Sequence, residues 1–542
     1  MIRIKIPIIL FLLLFSSPLW ATNFFVNQEG SGDDSGDSLA NAMPVADYNS
    51  GDLDASTDPG DTIYFCGTIT TAIVVTEGGS AVSVLTLNGA CSDEEGTDVT
   101  LSGMANGLTV NVSYIDIRNF NIENTTDRGI TVNPSGASIQ NIYVYDTTVD
   151  NAGGTYGIHF GSPGGQEDYS VTNVGLYDST VRNCNDTGVG FASYGEINTF
   201  EVKRNTIHDN NDDDAGFFQN LTCSSRREEF EDANWTNTSG TIYKRSGGSE
   251  PSYTPRRVLQ NETSFRELTE NDGNYASLSD GEWDFYDGNL YINIGGDPSG
   301  IEIFSVLGYT HNGTFSENLV YNGSYDANIY VDNGVEDTVV ENNKVYNCAQ
   351  ISGNGGYGIA VRAGVNITIR NNLIFDNDLH GILIYDQSSA TKIYNNVIDG
   401  SSTDNIRLAG QGAPTVDIRN NIICYAGAYG IKDPYETYVE TLSHNCYYGN
   451  TTADLLKVTS SGNDVTSDPS FKNRAGDDYS LSFGSPCIDA GVDLGSSYDD
   501  CLDISSAWPS GVVTKSQYLY RKWEMGAFCL PMMQGPGTGL VQ

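Results

Sequence analysis

The sequence predicts an all-β chain wound as a right-handed parallel β-helix, a solenoid carrying a β-rich insertion and terminal caps. Three observations predict it. First, a glycine followed by alternating aliphatic residues, Gly358-Ile359-Ala360-Val361-Arg362, recurs as Gly129-Ile130-Thr131-Val132, Gly157-Ile158-His159-Phe160, Gly188-Val189-Gly190-Phe191, Gly381-Ile382-Leu383-Ile384 and Gly430-Ile431-Lys432. Second, the first apolar residues of these copies, with weaker ones at Phe217, Ile301, Ile329 and Ile406, are spaced 28, 31, 28, 84, 28, 30, 23, 24 and 25 residues apart. All but one of these steps are too short for a strand-helix-strand unit with its loops. Third, each step holds two or three β-rich runs separated by Gly, Asn and Asp. Coils of that size bury their apolar face only by stacking on one another.

Residues 1–21 place Arg3 and Lys5 before an apolar run from Ile8 to Phe15, and end on the small residue Ala21. The run is too short to span a bilayer, so a signal peptide removed near Ala21 and a secreted chain, extracellular or periplasmic, are expected. Composition agrees with export: 60 glycines, 32 tyrosines, 27 lysines plus arginines and a net charge of -43. Such acidity disfavours nucleic acid and anionic membrane surfaces as partners. No later stretch is apolar enough for membrane insertion, and a monomer is expected. Ten cysteines form an even set. Cys66 with Cys91, and Cys424 with Cys446, lie about one coil apart and are candidates for bridging adjacent rungs.

Residues 22–100 read as an N-terminal cap with the first coils: a strand at Phe24-Phe25-Val26-Asn27, a polar loop from Gly30 to Asp37, and Asp58-Pro59-Gly60-Asp61 turning into Thr62-Ile63-Tyr64-Phe65. The loop's oxygens would suit a calcium ion, the one cofactor the sequence suggests, although a solvated loop is the better explanation of them. Residues 101–220 and 301–450 read as β-helix coils, and 451–542 as a C-terminal cap region. A second strand in each coil ends in paired asparagines, at 342–343, 371–372, 395–396 and 420–421. Stacked coils set these amides above one another, where they can bond along the axis.

The long step implies an inserted β-rich subdomain over residues 221–300. Glu282-Trp283-Asp284-Phe285-Tyr286 and Asn289-Leu290-Tyr291-Ile292 flank Asp287-Gly288 and read as a hairpin. Trp235 and Trp283 offer aromatic faces on which sugar rings stack, although a tryptophan in a hairpin also serves as core.

The polar N-terminal loop, the Pro-Gly-Asp turn, and the C-terminal phrases Asp468-Pro469-Ser470-Phe471, Gly484-Ser485-Pro486-Cys487-Ile488-Asp489-Ala490-Gly491 and Glu524-Met525-Gly526-Ala527-Phe528 resemble secreted bacterial right-handed β-helix proteins of the pectate-lyase-like superfamily. The resemblance implies architecture, and a polysaccharide as the class of partner.

Two-residue alternation turns Ile359 and Val361 inward, so Ala360 and Arg362 face out. Applied to each copy, this builds two outward columns. One runs through Thr131, His159, Gly190, Phe218, Glu302, Tyr330, Ala360, Leu383, Arg407 and Lys432; the other passes through Phe304, Asp332, Arg362 and Tyr385. Three cations on adjoining rungs suit a carboxylated sugar chain.

The most specific reading is a lyase cleaving an acidic, uronate-containing polysaccharide by β-elimination. Arg362 or Arg407 would neutralise the carboxylate, with Tyr330, Tyr385, Lys432 or His380 as base or acid, and Trp235, Trp283, Glu302 and Asp332 as substrate contacts. The competing local reading pairs Asp332 with Arg362. Two other functions remain: a glycoside hydrolase using carboxylates among Asp186, Asp213, Asp214 and Glu302, and a non-catalytic glycan-binding solenoid. Tyr429-Gly430-Ile431-Lys432-Asp433-Pro434-Tyr435 is loosely similar to the Tyr-Gly-x-Asp-Pro-His stretch of alginate epimerases, with one extra residue and Tyr435 in place of the histidine. That similarity gains meaning if Tyr429 and Arg407 share a pocket.

Overall fold

The computed structural model describes residues 22–52, 58–91, 98–161, 169–193, 195–210, 219–225, 227–230, 235–245, 257–260, 266–271, 275–286, 289–298, 303–306, 309–351, 353–386, 388–409, 415–436, 439–517 and 522–530. Among these, three long parallel sheets run the length of the coil stack, here named A, B and C, with fourteen, twelve and twelve strands. Each coil contributes one strand to each sheet in turn. In sheet C the repeated apolar residue keeps strict register: Ile130 pairs with Ile158, Ile158 with Val189, Ile329 with Ile359, Ile359 with Ile382, and Ile406 with Ile431. These side chains fill one continuous core, in which Ile359, Val361, Ile382 and Ile406 have no solvent exposure.

The refrain's glycine has a steric cause. A Cβ on Gly358 would lie 2.6 Å from the carbonyl oxygen of Gly381 on the next rung, and one on Gly157 would lie 2.7 Å from that of Gly188. The paired asparagines divide two tasks. The first of each pair, Asn342, Asn371, Asn395 or Asn420, takes the left-handed conformation at the bend from sheet A to sheet B, with φ between 53 and 59°. Asparagine tolerates that region better than most residues. The second points inward and forms an amide ladder, Asn205-Asn318-Asn343-Asn372-Asn396-Asn421-Asn445, each Nδ2 donating to the next Oδ1 at 3.0 to 3.1 Å. This is the bonding along the axis expected from the sequence.

The N-terminal region follows the expected order. Asn23–Asn27 pairs in parallel with Thr62–Phe65, and a short helix, Val45–Ser50, links them. Cys66 and Cys91 form a disulfide, as does Cys501 with Cys529. Cys424 and Cys446 do not, because register sets Cys446 opposite Ile422, one two-residue repeat away from Cys424.

The insertion differs from expectation in position. Strand Gln219–Ser225 belongs to sheet C, where Leu221 pairs with Val189 on one side and Ile329 on the other. One rung therefore stands where Phe217 and Ile301 implied two, and the inserted sheet lies between Ser225 and Tyr309. Phe304 falls in that sheet, opposite Glu229, and leaves the outward column. Phe218 and Glu302 lie outside the described residues, and the register gives their column position to Thr222, between Gly190 and Tyr330. The expected hairpin is present, with Tyr286 opposite Asn289.

Residues 471–517 and 522–530 do not simply close the solenoid's end. They run along the outer face of sheet B, where Tyr479, Leu481, Cys487, Met525 and Phe528 pack on Phe375, Val397, Ile422 and Cys424. Trp508 donates to the Asn342 carbonyl at 2.7 Å, and Gly526 to that of Asn420 at 2.7 Å. Among the described residues, that segment packs and hydrogen-bonds against sheets A and B. Among the described residues no helix is long and apolar enough to cross a membrane.

Candidate functional site

The outer face of sheet C carries three columns of side chains, one more than two-residue alternation gives: a residue two places before the inward Ile382 or Ile406 would itself turn inward, and the break in pairing at Gly381 and Asn405 turns it out. The added column reads Tyr357, His380, Asp404 and Tyr429, since Tyr357 pairs with His380, His380 with Asp404, and the Ile406 to Ile431 register continues to Tyr429. Two groups form on this face.

The first is Asp332, Arg362, Tyr330 and Tyr385. Arg362 grips Asp332 with two hydrogen bonds, 2.6 Å from Nε to Oδ1 and 2.9 Å from Nη2 to Oδ2, and donates a third, 3.1 Å long, to Asn333 Oδ1. Its guanidinium lies 5.8 and 6.0 Å from the ring centres of Tyr330 and Tyr385, whose hydroxyls bond each other. Tyr330 is 2% exposed. Burial, with Asp332 adding, pushes its phenol well above the ordinary range, and burial raises Tyr385 as well. Both stay protonated at neutral pH. Arg362 also stays charged, because Asp332 and the two phenols outweigh the opposing effect of burial.

Arg362 is thus committed to Asp332, which corrects its assignment as the neutralising cation and that of Asp332 as a substrate contact. The half-buried, fork-on-fork geometry gives the pair a structural role. Replacing Arg362 by alanine is expected to destabilise the fold by about 3 kcal/mol, since it takes the bidentate cation from a buried carboxylate. The double variant Arg362→Gln with Asp332→Asn should recover part of that loss in a urea melt.

The second group surrounds Asp404, which is 2% exposed. Its Oδ2 lies 3.7 Å from Arg407 Nη1, 3.8 Å from Lys432 Nζ and 3.8 Å from His380 Nδ1. Its Oδ1 accepts the backbone N–H of Tyr429 at 3.3 Å. Lys432 sits 5.2 Å from the centre of the Tyr429 ring. Burial raises the Asp404 pKa, and Lys432 and Arg407 pull it back. Arg407 Nη1 is buried and has no hydrogen-bond partner among the described residues.

His380 stacks on Tyr357 with ring centres 5.6 Å apart. The Thr403 hydroxyl donates to the Leu379 carbonyl, so its 2.9 Å contact with His380 Nδ1 is accepted from an N–H there. Nε2 is then the lone-pair nitrogen. Burial, reinforced by Arg407, holds the imidazole down to about 3, so the ring is neutral and the group keeps one positive charge in excess.

His159, further up the face, is held at about 3 by burial and by Arg128. Each histidine binds its proton more weakly folded than unfolded, where the ordinary value is 6.5. The stability they contribute is complete above that value and is lost as pH falls toward 3. Urea midpoints should decline between about pH 7 and about pH 4, and less steeply in a His159→Gln chain. Equal slopes in the two chains would contradict this.

The structure therefore brings Arg407, Lys432 and His380 together, brings Tyr330 and Tyr385 together, and separates the two sets by the apolar Leu383 and Ala360. Trp283 is 1% exposed and fills the insertion's own core with Val258, Leu268, Leu290 and Ile292; Trp235 packs half-buried against that cluster. A buried indole offers no face to a sugar, which corrects the Trp283 assignment. Asp404 escapes the sequence reading, because alternation from Ile406 turns it inward, while Tyr429 enters there only through the epimerase-like stretch. In the N-terminal loop Asp37 accepts from Ser38 and Asn41, and Asp33 from the Ser35 N–H. Among the described residues no group of three or more His, Cys, Asp or Glu side chains converges as a metal site.

No curated protein matches the chain. Among solved structures it is similar to the pectate lyase Pel9A, with a TM-score of 0.42 and 12% identity over 94% of this chain and 96% of that one. It is also similar to XylC in complex with xylose, with a TM-score of 0.43 and 9% identity over 83% and 87%. For the A-module of the Azotobacter vinelandii mannuronan C-5 epimerase AlgE4 the TM-score is 0.37, with 10% identity over 82% and 100%. At such identities no activity carries over. Residues 305–473 match the family described as a right handed beta helix region, and the three sheets continue the same winding on the N-terminal side of the insertion: the chain is a right-handed parallel β-helix.

Proposed function

We propose that the outer face of sheet C binds a uronate-containing polysaccharide and cleaves it by β-elimination at the Asp404 group. The observation that carries this reading is the Arg407 and Lys432 pair on adjoining rungs. It shares one buried carboxylate and so keeps excess positive charge on a chain whose net charge is -43. The two side chains keep 22% and 28% of their surface exposed, so a sugar carboxylate can be placed against the pair.

Removing the C5 proton shifts charge onto that carboxylate, and the two cations stabilise the charge as it develops. Tyr429, whose ring centre lies 5.2 Å from Lys432 Nζ, and His380 are the proton-transfer groups beside the pair. The C4–O bond then breaks, its oxygen takes a proton, and a C4=C5 double bond remains. Asp404 acts by position: it holds both cations on the same side of the strand. Tyr429 and Arg407 both contact Asp404, Tyr429 through its backbone N–H and Arg407 at 3.7 Å through Nη1. Asp433 accepts the Tyr435 and Glu436 N–H groups at 3.1 Å.

The test is incubation with alginate, pectate and glycosaminoglycans, following the ultraviolet absorbance of the unsaturated product. Absorbance should rise with at least one polyuronate. Binding without product or new reducing ends would favour the non-catalytic glycan-binding solenoid, for which the locked Arg362–Asp332 pair already speaks.

A further inference from the structure

We propose that the chain is cut between Ala21 and Thr22, and that Asp61 is built to receive the α-ammonium this creates. Thr22 N lies 2.6 Å from Asp61 Oδ1. The other carboxylate oxygen accepts the Asp58 N–H at 2.7 Å, so both oxygens are engaged. Asp61 is 2% exposed, and among the described residues no lysine, arginine or histidine stands within ion-pairing distance of it. A buried carboxylate held only by neutral N–H donors lacks a counter-charge, which is costly in a low-dielectric surrounding.

Hydrolysis supplies the charge at the place where it is missing. Water adds to the Ala21 carbonyl, the C–N bond to Thr22 breaks, and Ala21 leaves as a carboxylate whose proton passes to the Thr22 nitrogen. That nitrogen already sits against Asp61. Its position is set by the first rung of sheet A, where the Thr22 carbonyl accepts the Thr62 N–H at 3.0 Å and Asn23 pairs with Thr62. Thr22 is exposed, as a residue at a processing junction must be. The leader-like composition of residues 1–21, ending on Ala21, points independently to the same bond. Processing then locks the N-terminal rung, and an uncut chain keeps it looser.

The experiment exports the full chain on its own leader and reads the mature N-terminus by intact mass and sequencing; Thr22 is expected, and any other start overturns the proposal. Hydrogen exchange of Asn23–Asn27 and Thr62–Phe65 is then compared in four mature chains: wild type, Asp61→Asn, a chain with one extra glycine before Thr22, and both changes together. The extra glycine moves the ammonium away but keeps the N–H, so it tests the charge without disturbing Asp61. Exchange should quicken about tenfold in each single variant, with Asp61→Asn adding much less once the glycine is present. Unchanged exchange in the glycine-extended chain, or an equal effect of Asp61→Asn with and without the glycine, would overturn the role of the charge.

Discussion

Replacing Lys432 by alanine, or Arg407 by glutamine, is expected to lower turnover of the polyuronate substrate by about a hundredfold to a thousandfold, with the fold intact. The loss should fall mainly on kcat. In the bound substrate the uronate carboxylate carries one negative charge, and as the C5 proton departs a second charge spreads onto it. The two cations therefore bind the transition state more tightly than the ground state, and only that difference accelerates the reaction. Glutamine at 407 keeps a donor toward Asp404 while removing the charge, so a folded but inactive protein is the expected outcome. Losses confined to KM would mean that the pair only anchors the chain. Arg362→Ala offers the contrast: there melting should suffer far more than turnover, because its charge is spent on Asp332.

Replacing Asn372 by alanine is expected to cost about 3 to 5 kcal/mol of stability. Its Nδ2 donates to the Val340 carbonyl at 2.8 Å and to Asn396 Oδ1 at 3.1 Å, and its Oδ1 accepts from Asn343 N and Nδ2, each at 3.0 Å. All of these groups are buried, and no water replaces the lost amide. The neighbouring Asn371→Gly substitution should cost less, about 1 kcal/mol, since glycine takes φ of 55° without strain and only the bond from Asn371 Nδ2 to the Asp500 carbonyl is lost. Urea melts of the two variants test this division of labour; similar losses in both would contradict it.

The scaffold was legible because its causes are local and repeated. Ile359 and Val361 point inward by simple alternation, the refrain's glycine answers a carbonyl one rung away, and each asparagine pair sits at one kind of bend. The site was legible only in part. Arg407 and Lys432 share a column visible in the sequence, yet the carboxylate that binds them lies three residues before Arg407, in a column that begins ahead of the apolar marker. The extra rung inferred at Ile301 came from an alternating stretch of the inserted sheet, since alternation alone does not say which sheet a strand joins. The same limit hid the C-terminal flank: Tyr479 and Phe528 look like any half-buried strand residues until Phe375 and Ile422 are seen beneath them.

The central claim is that sheet C recognises a carboxylate through Arg407 and Lys432. Calorimetric titration of the protein with a uronate oligosaccharide, and with the same oligosaccharide after its carboxylates have been reduced to alcohols, tests it most directly. The acidic chain should bind, the reduced chain should not, and the Arg407→Gln, Lys432→Gln double variant should bind neither. Equal affinity for the two oligosaccharides, or undiminished binding in the double variant, would contradict the assignment.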